Sequence, residues 1–164
     1  KKKKKKGNYK MKLIRAVILP TLLFLSVITS AESTVSGYWK SIDDQSGEVT
    51  AFWKLEIKDN RLLGYLVNYP GMKPDNVCVQ CTGELQKFFE KPISNTAWLN
   101  LSKHRDGVWE GGYIIDSGKG EKYKAKVWIE DGSLMMRGYV GFFFRTQTWL
   151  RTDEAAVSQA QFVQ

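Results

Sequence analysis

Two cysteines are the residues of this chain with the clearest chemical potential. Cys78 and Cys81 lie with two residues between them in a segment that contains Pro and Gly, residues 69–83. In an oxidising compartment such a pair forms a disulfide by default, and its short ring contributes only about 2 kcal/mol. A redox-active pair would open a helix in a βαβ unit, and a zinc site would need about two further ligands. The spacing predicts a structural disulfide, with redox thiols and a metal site as alternatives.

The remaining candidates for chemistry are a single histidine and a few carboxylates. His104 lies in a polar turn beside two cations, where a side chain is normally solvated. Asp43, Asp44 and Asp116 follow alternating segments, where turn-forming Asp is expected, although Asp43 and Asp44 together could also bind a cation. The sequence contains no nucleophile elbow, phosphate-binding glycine loop or paired metal-ligand helix. These patterns favour a protein without catalytic residues, metal or cofactor.

Short alternating segments must position these side chains. From Val49 to Ile57 apolar residues occupy every second position, and Asp59-Asn60 and Asp131-Gly132 are typical of tight hairpin turns. About eight such segments follow one another along the chain: 37–42, 49–57, 61–69, 97–101, 108–115, 122–130, 134–140 and 146–151. Short strands joined by tight turns predict an all-β fold, an antiparallel up-and-down barrel of about eight strands.

The barrel domain is expected to span residues 32–151. A tail at 152–164 lacks the strand pattern and is expected to be a short helix or disordered. A transmembrane barrel is the competing interpretation of eight strands. The alternating row Lys122, Lys124 and Lys126 argues against it, because one face of that strand would present three ammonium groups to lipid.

The net charge of +8 would suggest a nucleic-acid partner, but its distribution excludes that class. Residues 1–31 hold nine of the 25 Lys and Arg residues and none of the 17 acids, so the remainder carries a net charge of −1. Neutralising phosphates needs a clustered excess of cations, which the barrel domain lacks.

Residues 11–31 have the three parts of a secretory signal peptide. Basic residues after Met11 precede an apolar run at 16–28, and small residues lead to a cleavage position after Ala31. A membrane anchor is the alternative, but a spanning helix needs about 20 residues and Pro20 interrupts this shorter run. We expect an exported protein, periplasmic or extracellular, with no transmembrane anchor after cleavage. Residues 1–10 are expected to be an untranslated or mis-annotated leader, with a basic arm as the alternative.

The two ends of the predicted barrel carry matching motifs. Gly37 and Trp39 form a G-x-W on the first segment, and Trp149 and Arg151 lie on the last. This pairing resembles the lipocalin and wider calycin arrangement, in which the first-strand Trp closes one end of the barrel and an Arg from the last strand stacks over its indole. A planar guanidinium over an indole is a favourable cation–π contact. The resemblance assigns these residues a structural role.

A closer resemblance covers nearly the whole domain. It rests on Gly37-Tyr38-Trp39, Cys78-Val79-Gln80-Cys81, Gly111-Gly112-Tyr113-Ile114 and the block from Arg137-Gly138-Tyr139 to Thr148-Trp149. These motifs look like the bacterial secreted family known as domain of unknown function 2147, which implies a lipocalin-like barrel of the cell envelope and brings no catalytic residues. Two departures affect local geometry: Phe144 replaces an expected Gly, and a Gly-containing turn is missing from 91–97.

The calycin resemblance implies a binder of a small, partly apolar ligand in the mouth of the barrel. Tyr113, Tyr123, Arg137 and Tyr139 are the predicted lining residues. Six Trp residues in the domain fit either a filled core or an aromatic cavity. The alternative is an envelope protein-interaction module with a filled core and the 69–83 loop as its contact surface. A third interpretation is a thiol–disulfide enzyme using the cysteine pair.

Overall fold

Eight antiparallel strands close into a barrel in the computed structural model, which describes residues 34–160. The strands are β1 Gly37–Ile42, β2 Val49–Lys58, β3 Arg61–Asn68, β4 Ala97–Arg105, β5 Val108–Asp116, β6 Glu121–Glu130, β7 Ser133–Val140 and β8 Phe143–Thr152. A 3₁₀ helix, Gly83–Phe88, precedes β4, and helix α1, Glu154–Gln159, follows β8. The predicted fold class is confirmed. The predicted leader at 1–10 and signal peptide at 11–31 lie outside the described residues.

Each strand pairs with the next one along the chain, and β8 pairs with β1 to complete the circle. Closure pairs Trp39 with Arg151 and Ser41 with Trp149. We call the end where β1 begins and β8 ends the closed end. The opposite end, the mouth, carries the β1–β2, β5–β6 and β7–β8 turns and the long loop 69–96. A closed barrel leaves no sheet edge unpaired.

Alternating side chains fill the closed end of the barrel. Trp39, Leu55, Leu62, Leu101 and Leu134 are almost completely buried there. Above them the rings of Trp53 and Trp149 stack with their centroids 4.9 Å apart. Aromatic rings bury large areas with few rotatable bonds, so they fill a narrow barrel efficiently.

The loop 69–96 forms a second, smaller core on the outer wall of the barrel. Trp98 alternates with the inward Leu99, and its Nε1 donates a hydrogen bond to the Ile93 carbonyl at 2.7 Å. The ring of Phe88, from the 3₁₀ helix, lies 5.8 Å from the Trp98 ring. Cys78, Cys81, Leu85 and Ile93 are buried with them. The outward Trp98 of β4 is therefore covered by the chain itself.

Between the end of β8 and residue 160, the chain forms one short helix. The Asp153 side chain accepts a hydrogen bond from the Ala156 N–H at 2.8 Å, which caps the helix N-terminus. Val157 is its buried residue. Between residues 34 and 160, no helix is both long and apolar enough to cross a bilayer.

Candidate functional site

A cavity of about 450 Å³ opens at the mouth of the barrel. Its volume falls in the range of about 300–1,000 Å³ that is typical of small-molecule sites. Apolar side chains form most of its wall: Trp53, Leu66, Ile114, Met136, Val140 and Phe143. Trp53, Ile114 and Met136 are themselves buried. The barrel is therefore filled at the closed end and open at the mouth.

Strand register explains why these side chains meet. Trp53 pairs with Leu66, and Ile114 pairs with Tyr123, so each pair projects from the same side of the sheet. Gly138 pairs with the buried Ala125 and faces the cavity. A Cβ added at Gly138 would have no heavy atom within 4 Å, so this glycine contributes open space to the site.

Charged side chains lie at the rim of the cavity, whereas the amide of Gln147 lies deeper, on the strand position that pairs with Met136. The Arg145 Nη2 lies 3.2 Å from Asp44 Oδ2 and 3.8 Å from Asp43 Oδ2. Hydrogen bonds from the backbone N–H groups of Ser46 and Gln45 lower the pKa of Asp43, and the Arg145 charge lowers it further. Ion pairs with the β1–β2 turn thus hold Arg145 in position. The carboxylates of Asp43 and Asp44 neutralise its charge.

Tyr123 supplies a phenol to the same rim. Its hydroxyl donates a hydrogen bond to the Glu121 carboxylate. This bond, with burial and the nearby charges of Glu121 and Asp116, raises the pKa of Tyr123 to about 12. The phenol is therefore neutral throughout the physiological pH range.

The comparisons with known proteins agree with this architecture. A family model described as an uncharacterized protein conserved in bacteria (DUF2147) matches residues 37–151. The chain belongs to this family. The family predicted from the motifs is thereby confirmed.

Among solved structures, the barrel of this DUF2147 protein is similar to protein HP1028 from the human pathogen Helicobacter pylori, which is described as belonging to the lipocalin family. The similarity covers 80% of this chain and 93% of that chain, with a TM-score of 0.63 and 14% sequence identity. At this identity the match shows the lipocalin-like fold alone. No curated protein sequence matches the chain.

The structure separates the four predicted lining residues of the DUF2147 protein. Tyr123 lines the mouth cavity. Tyr113, Tyr123 and Tyr139 line a different feature, a groove of about 820 Å³ on the outer wall. Arg137 also faces outward, since it is out of phase with the inward Met136 and Gly138, and its guanidinium stacks over the Trp128 ring at 5.1 Å. A ligand that contacted Tyr113 and Tyr139 would lie in the outer groove, and ligand binding by these four residues stays a prediction.

Sequence reasoning missed most residues of the mouth. Arg145 and Gln147 line the cavity, and they share the parity of Trp149 on the last strand. Their spacing of two and four residues from the buried Trp149 would have indicated that they face the interior of the barrel. The predicted strand began at residue 146, whereas β8 begins at Phe143, so Arg145 fell outside the alternation. Phe144, the departure from the family pattern, lies on the outer face and pairs with Tyr139.

The closed end of the DUF2147 barrel carries the predicted structural residues. The Arg151 guanidinium carbon lies 4.2 Å from the centroid of the Trp39 ring. Arg151 Nη1 donates to the Ser36 carbonyl at 3.2 Å, and Nη2 donates to the Thr34 carbonyl. A Cβ at Gly37 would lie 2.9 Å from Arg151 Nη1. A glycine at this position therefore avoids a steric clash with the guanidinium.

Cys78 and Cys81 are joined by a disulfide, with Cα atoms 5.6 Å apart. Both residues are fully buried, so another thiol reaches them only if the loop opens. No group of three or more His, Cys, Asp or Glu side chains within 34–160 is arranged to hold a metal ion. His104 lies on the outer wall, where its Nε2 is 3.1 Å from Glu110 Oε1.

Proposed function

We propose that this protein is an exported, non-catalytic binder of a small, partly apolar ligand, which it holds in the mouth of the barrel. The observation that carries the proposal is the apolar cavity of about 450 Å³ above the filled closed end. The lipocalin-like fold is compatible with this role, and a buried disulfide is compatible with an oxidising compartment outside the cytoplasm.

The rim indicates how such a ligand would be oriented. Its apolar part would pack on Trp53, Ile114 and Met136, because these side chains form the deep wall. Its polar end would meet the neutral phenol of Tyr123 at the rim, while the Gln147 amide, which pairs with Met136, would meet the deeper part of the ligand. Since the Arg145 charge is already balanced by two carboxylates, we expect a weakly polar head rather than a strong anion.

The ionisable groups of the lining support binding over catalysis. Arg145 pairs with Asp44, and Tyr123 pairs with Glu121. Asp116 accepts hydrogen bonds from the backbone N–H groups of Gly118 and Lys119 at 3.0 and 3.1 Å. Each group is therefore engaged within the protein, and proton exchange with a ligand would first have to break one of these contacts.

Binding of the uncharged apolar fluorophore N-phenyl-1-naphthylamine, followed by its fluorescence and by quenching of Trp emission, tests the proposal. Gly138→Leu should lower the affinity at least about tenfold, because the new side chain projects into the cavity without a clash at its Cβ. The matched control is Tyr139→Leu, which places the same side chain one residue along the strand on the outer wall. It should leave the affinity unchanged.

Two results would contradict binding in the mouth. One is the reverse pattern, in which Tyr139→Leu weakens binding and Gly138→Leu does not, since this assigns the probe to the outer groove. The other is the absence of probe binding by the unmodified protein. Export is tested separately by the intact mass of the mature protein, which should correspond to a chain that begins at Glu32.

A further inference from the structure

The β7–β8 hairpin ends in an exposed cluster of large apolar side chains. Val140, Phe142, Phe143 and Phe144 have exposed fractions of 61, 104, 80 and 59%. We call these residues the hairpin tip. Scattered exposed apolar residues are ordinary, whereas a contiguous group is typical of an interaction surface. The tip therefore needs an apolar partner.

The hairpin tip stands at the mouth of the barrel. Phe143 and Phe144 contribute to the wall of the mouth cavity as well as to the tip. Whatever covers the tip consequently faces the opening.

Basic and aromatic side chains flank the tip on the outer wall. Lys124, Tyr139 and Phe144 form one row across three strands, and Lys126, Arg137 and Thr146 form the next. The Tyr139 and Phe144 rings are 6.2 Å apart.

Arg137 links the two rows. Its guanidinium carbon lies 4.3 Å from the centroid of the Phe144 ring, and its Nε donates to Thr146 Oγ1 at 2.8 Å. In the part of the chain that the structure describes, neither Arg137 nor Lys124 forms an ion pair with an acidic side chain. Their charges thus remain available to an anionic partner.

We propose that the hairpin tip docks the barrel, mouth first, onto an anionic lipid bilayer. Phe142 and Phe143 enter the boundary of the acyl chains, Tyr139 lies at headgroup level, and Arg137 and Lys124 contact lipid phosphates. Exposed Phe beside Tyr, Arg and Lys is the composition of membrane-interface anchors. A protruding tip also enters a lipid surface without the matching groove that a protein partner would have to provide.

Docking does not depend on the proposed ligand, although it would place the cavity against a source of apolar molecules. Each cation near an anionic surface strengthens binding about fivefold. Removing the two most exposed Phe side chains should weaken binding at least about tenfold.

Co-flotation of the full protein with vesicles tests the proposal. The vesicles contain phosphatidylcholine alone or phosphatidylcholine with phosphatidylglycerol. The unmodified protein should float with the anionic vesicles, and Phe142→Ser/Phe143→Ser should reduce the bound fraction at least about tenfold. Arg137→Gln should reduce binding to anionic vesicles by about fivefold and flatten its salt dependence.

The matched control is Ile57→Ser. Ile57 is 49% exposed and lies beside the β2–β3 turn at the closed end, so this variant removes exposed apolar area far from the tip. It should bind like the unmodified protein. Because Ile57, Phe142 and Phe143 are exposed and Arg137 lies half-buried on the outer wall, thermal unfolding should show that each variant remains folded.

Three outcomes would overturn docking to lipid: failure of the unmodified protein to float with anionic vesicles, equal loss in Ile57→Ser, or a tip-dependent dimer in size-exclusion chromatography with no vesicle binding. Gly138→Leu should float normally. That result separates failure of the docking proposal from failure of the ligand proposal.

Discussion

Tyr123 and Glu121 show how one residue pair sets the chemistry of the rim. Both lie on β6, and the two-residue spacing of a strand places their side chains on the same face. The hydrogen bond to the carboxylate favours the neutral phenol, so the pKa of Tyr123 is raised from 10.0 to about 12. A hydroxyl that stays protonated can offer a ligand polar contact without charge.

This pair should therefore make the free energy of unfolding decrease at alkaline pH. Because the folded pKa lies above the unfolded value, its stabilisation is present below pH 10 and is lost as the pH rises through about 12. Glu121→Gln should lower the pKa of Tyr123 toward 10.0, since the carboxylate charge is gone. Titration of tyrosinate absorbance measures this shift.

Tyr123→Phe is the control for that titration. It should remove the Tyr123 contribution to the alkaline step, while Tyr38 and Tyr65, whose pKa values are also raised by burial and by neighbouring glutamates, still titrate. An unchanged alkaline step in Glu121→Gln would contradict the pairing.

At the scale of elements, the disulfide loop is fitted against the β5–β6 turn. A Cβ at Gly120, which has φ +68°, would lie 2.0 Å from the Gln80 carbonyl oxygen. The Cys78 carbonyl accepts a hydrogen bond from the Glu90 N–H at 3.0 Å, which holds the loop to the segment after the 3₁₀ helix. The loop thus packs beside the β5–β6 turn, where the Cys78 Sγ lies 3.4 Å from the Ser117 carbonyl oxygen.

Gly120→Ala should be strongly destabilising, because it combines an unfavourable backbone conformation with a steric clash. We expect a loss of about 2–4 kcal/mol in the free energy of unfolding, measured with urea. Gly132→Ala is the matched control, since Gly132 has φ +76° in the β6–β7 turn but no heavy atom within 4 Å of an added Cβ. It should cost only about 1–2 kcal/mol. Equal losses of unfolding free energy in the two variants would show that the disulfide loop does not pack closely against the β5–β6 turn.

At the scale of the whole molecule, the barrel has one sealed end and one open end. Trp39 and Arg151 join the first and last strands at the closed end, where packing is complete. At the mouth, the missing side chain of Gly138 leaves part of the cavity open. The filled end that stabilises the barrel and the cavity proposed to bind ligand thus lie at opposite ends of the same barrel.

Arg151→Ala should weaken the closure of the barrel. The variant loses the cation–π contact with Trp39 and the hydrogen bonds to the Ser36 and Thr34 carbonyls, for a cost of about 1–2 kcal/mol in urea unfolding. Arg151→Lys should recover only part of this, because an ammonium lacks the planar fork. Arg105→Ala, at the exposed β4–β5 turn, should change stability by no more than about 0.5 kcal/mol. A comparable loss in Arg105→Ala would refute a specific role for Arg151.

The sequence by itself determined the number and order of the strands, because a period of two with polar turns leaves little choice of local structure. The resemblance of the terminal motifs to the calycin arrangement also implied that Arg151 stacks over Trp39, which the structure shows. The cysteine spacing and the expected oxidising compartment together favoured the disulfide over redox thiols or a metal site.

Only the tertiary structure decided which side chains face the mouth. Strand β3 carries apolar residues on both faces, and the pairing of Trp53 with Leu66 selects the inner one. Arg137 and Arg145 lie near the same hairpin, yet Arg145 faces the cavity and Arg137 the outside. Alternation defines two faces but does not say which is inside. That choice depends on strand register and on the volume that distant side chains leave unfilled.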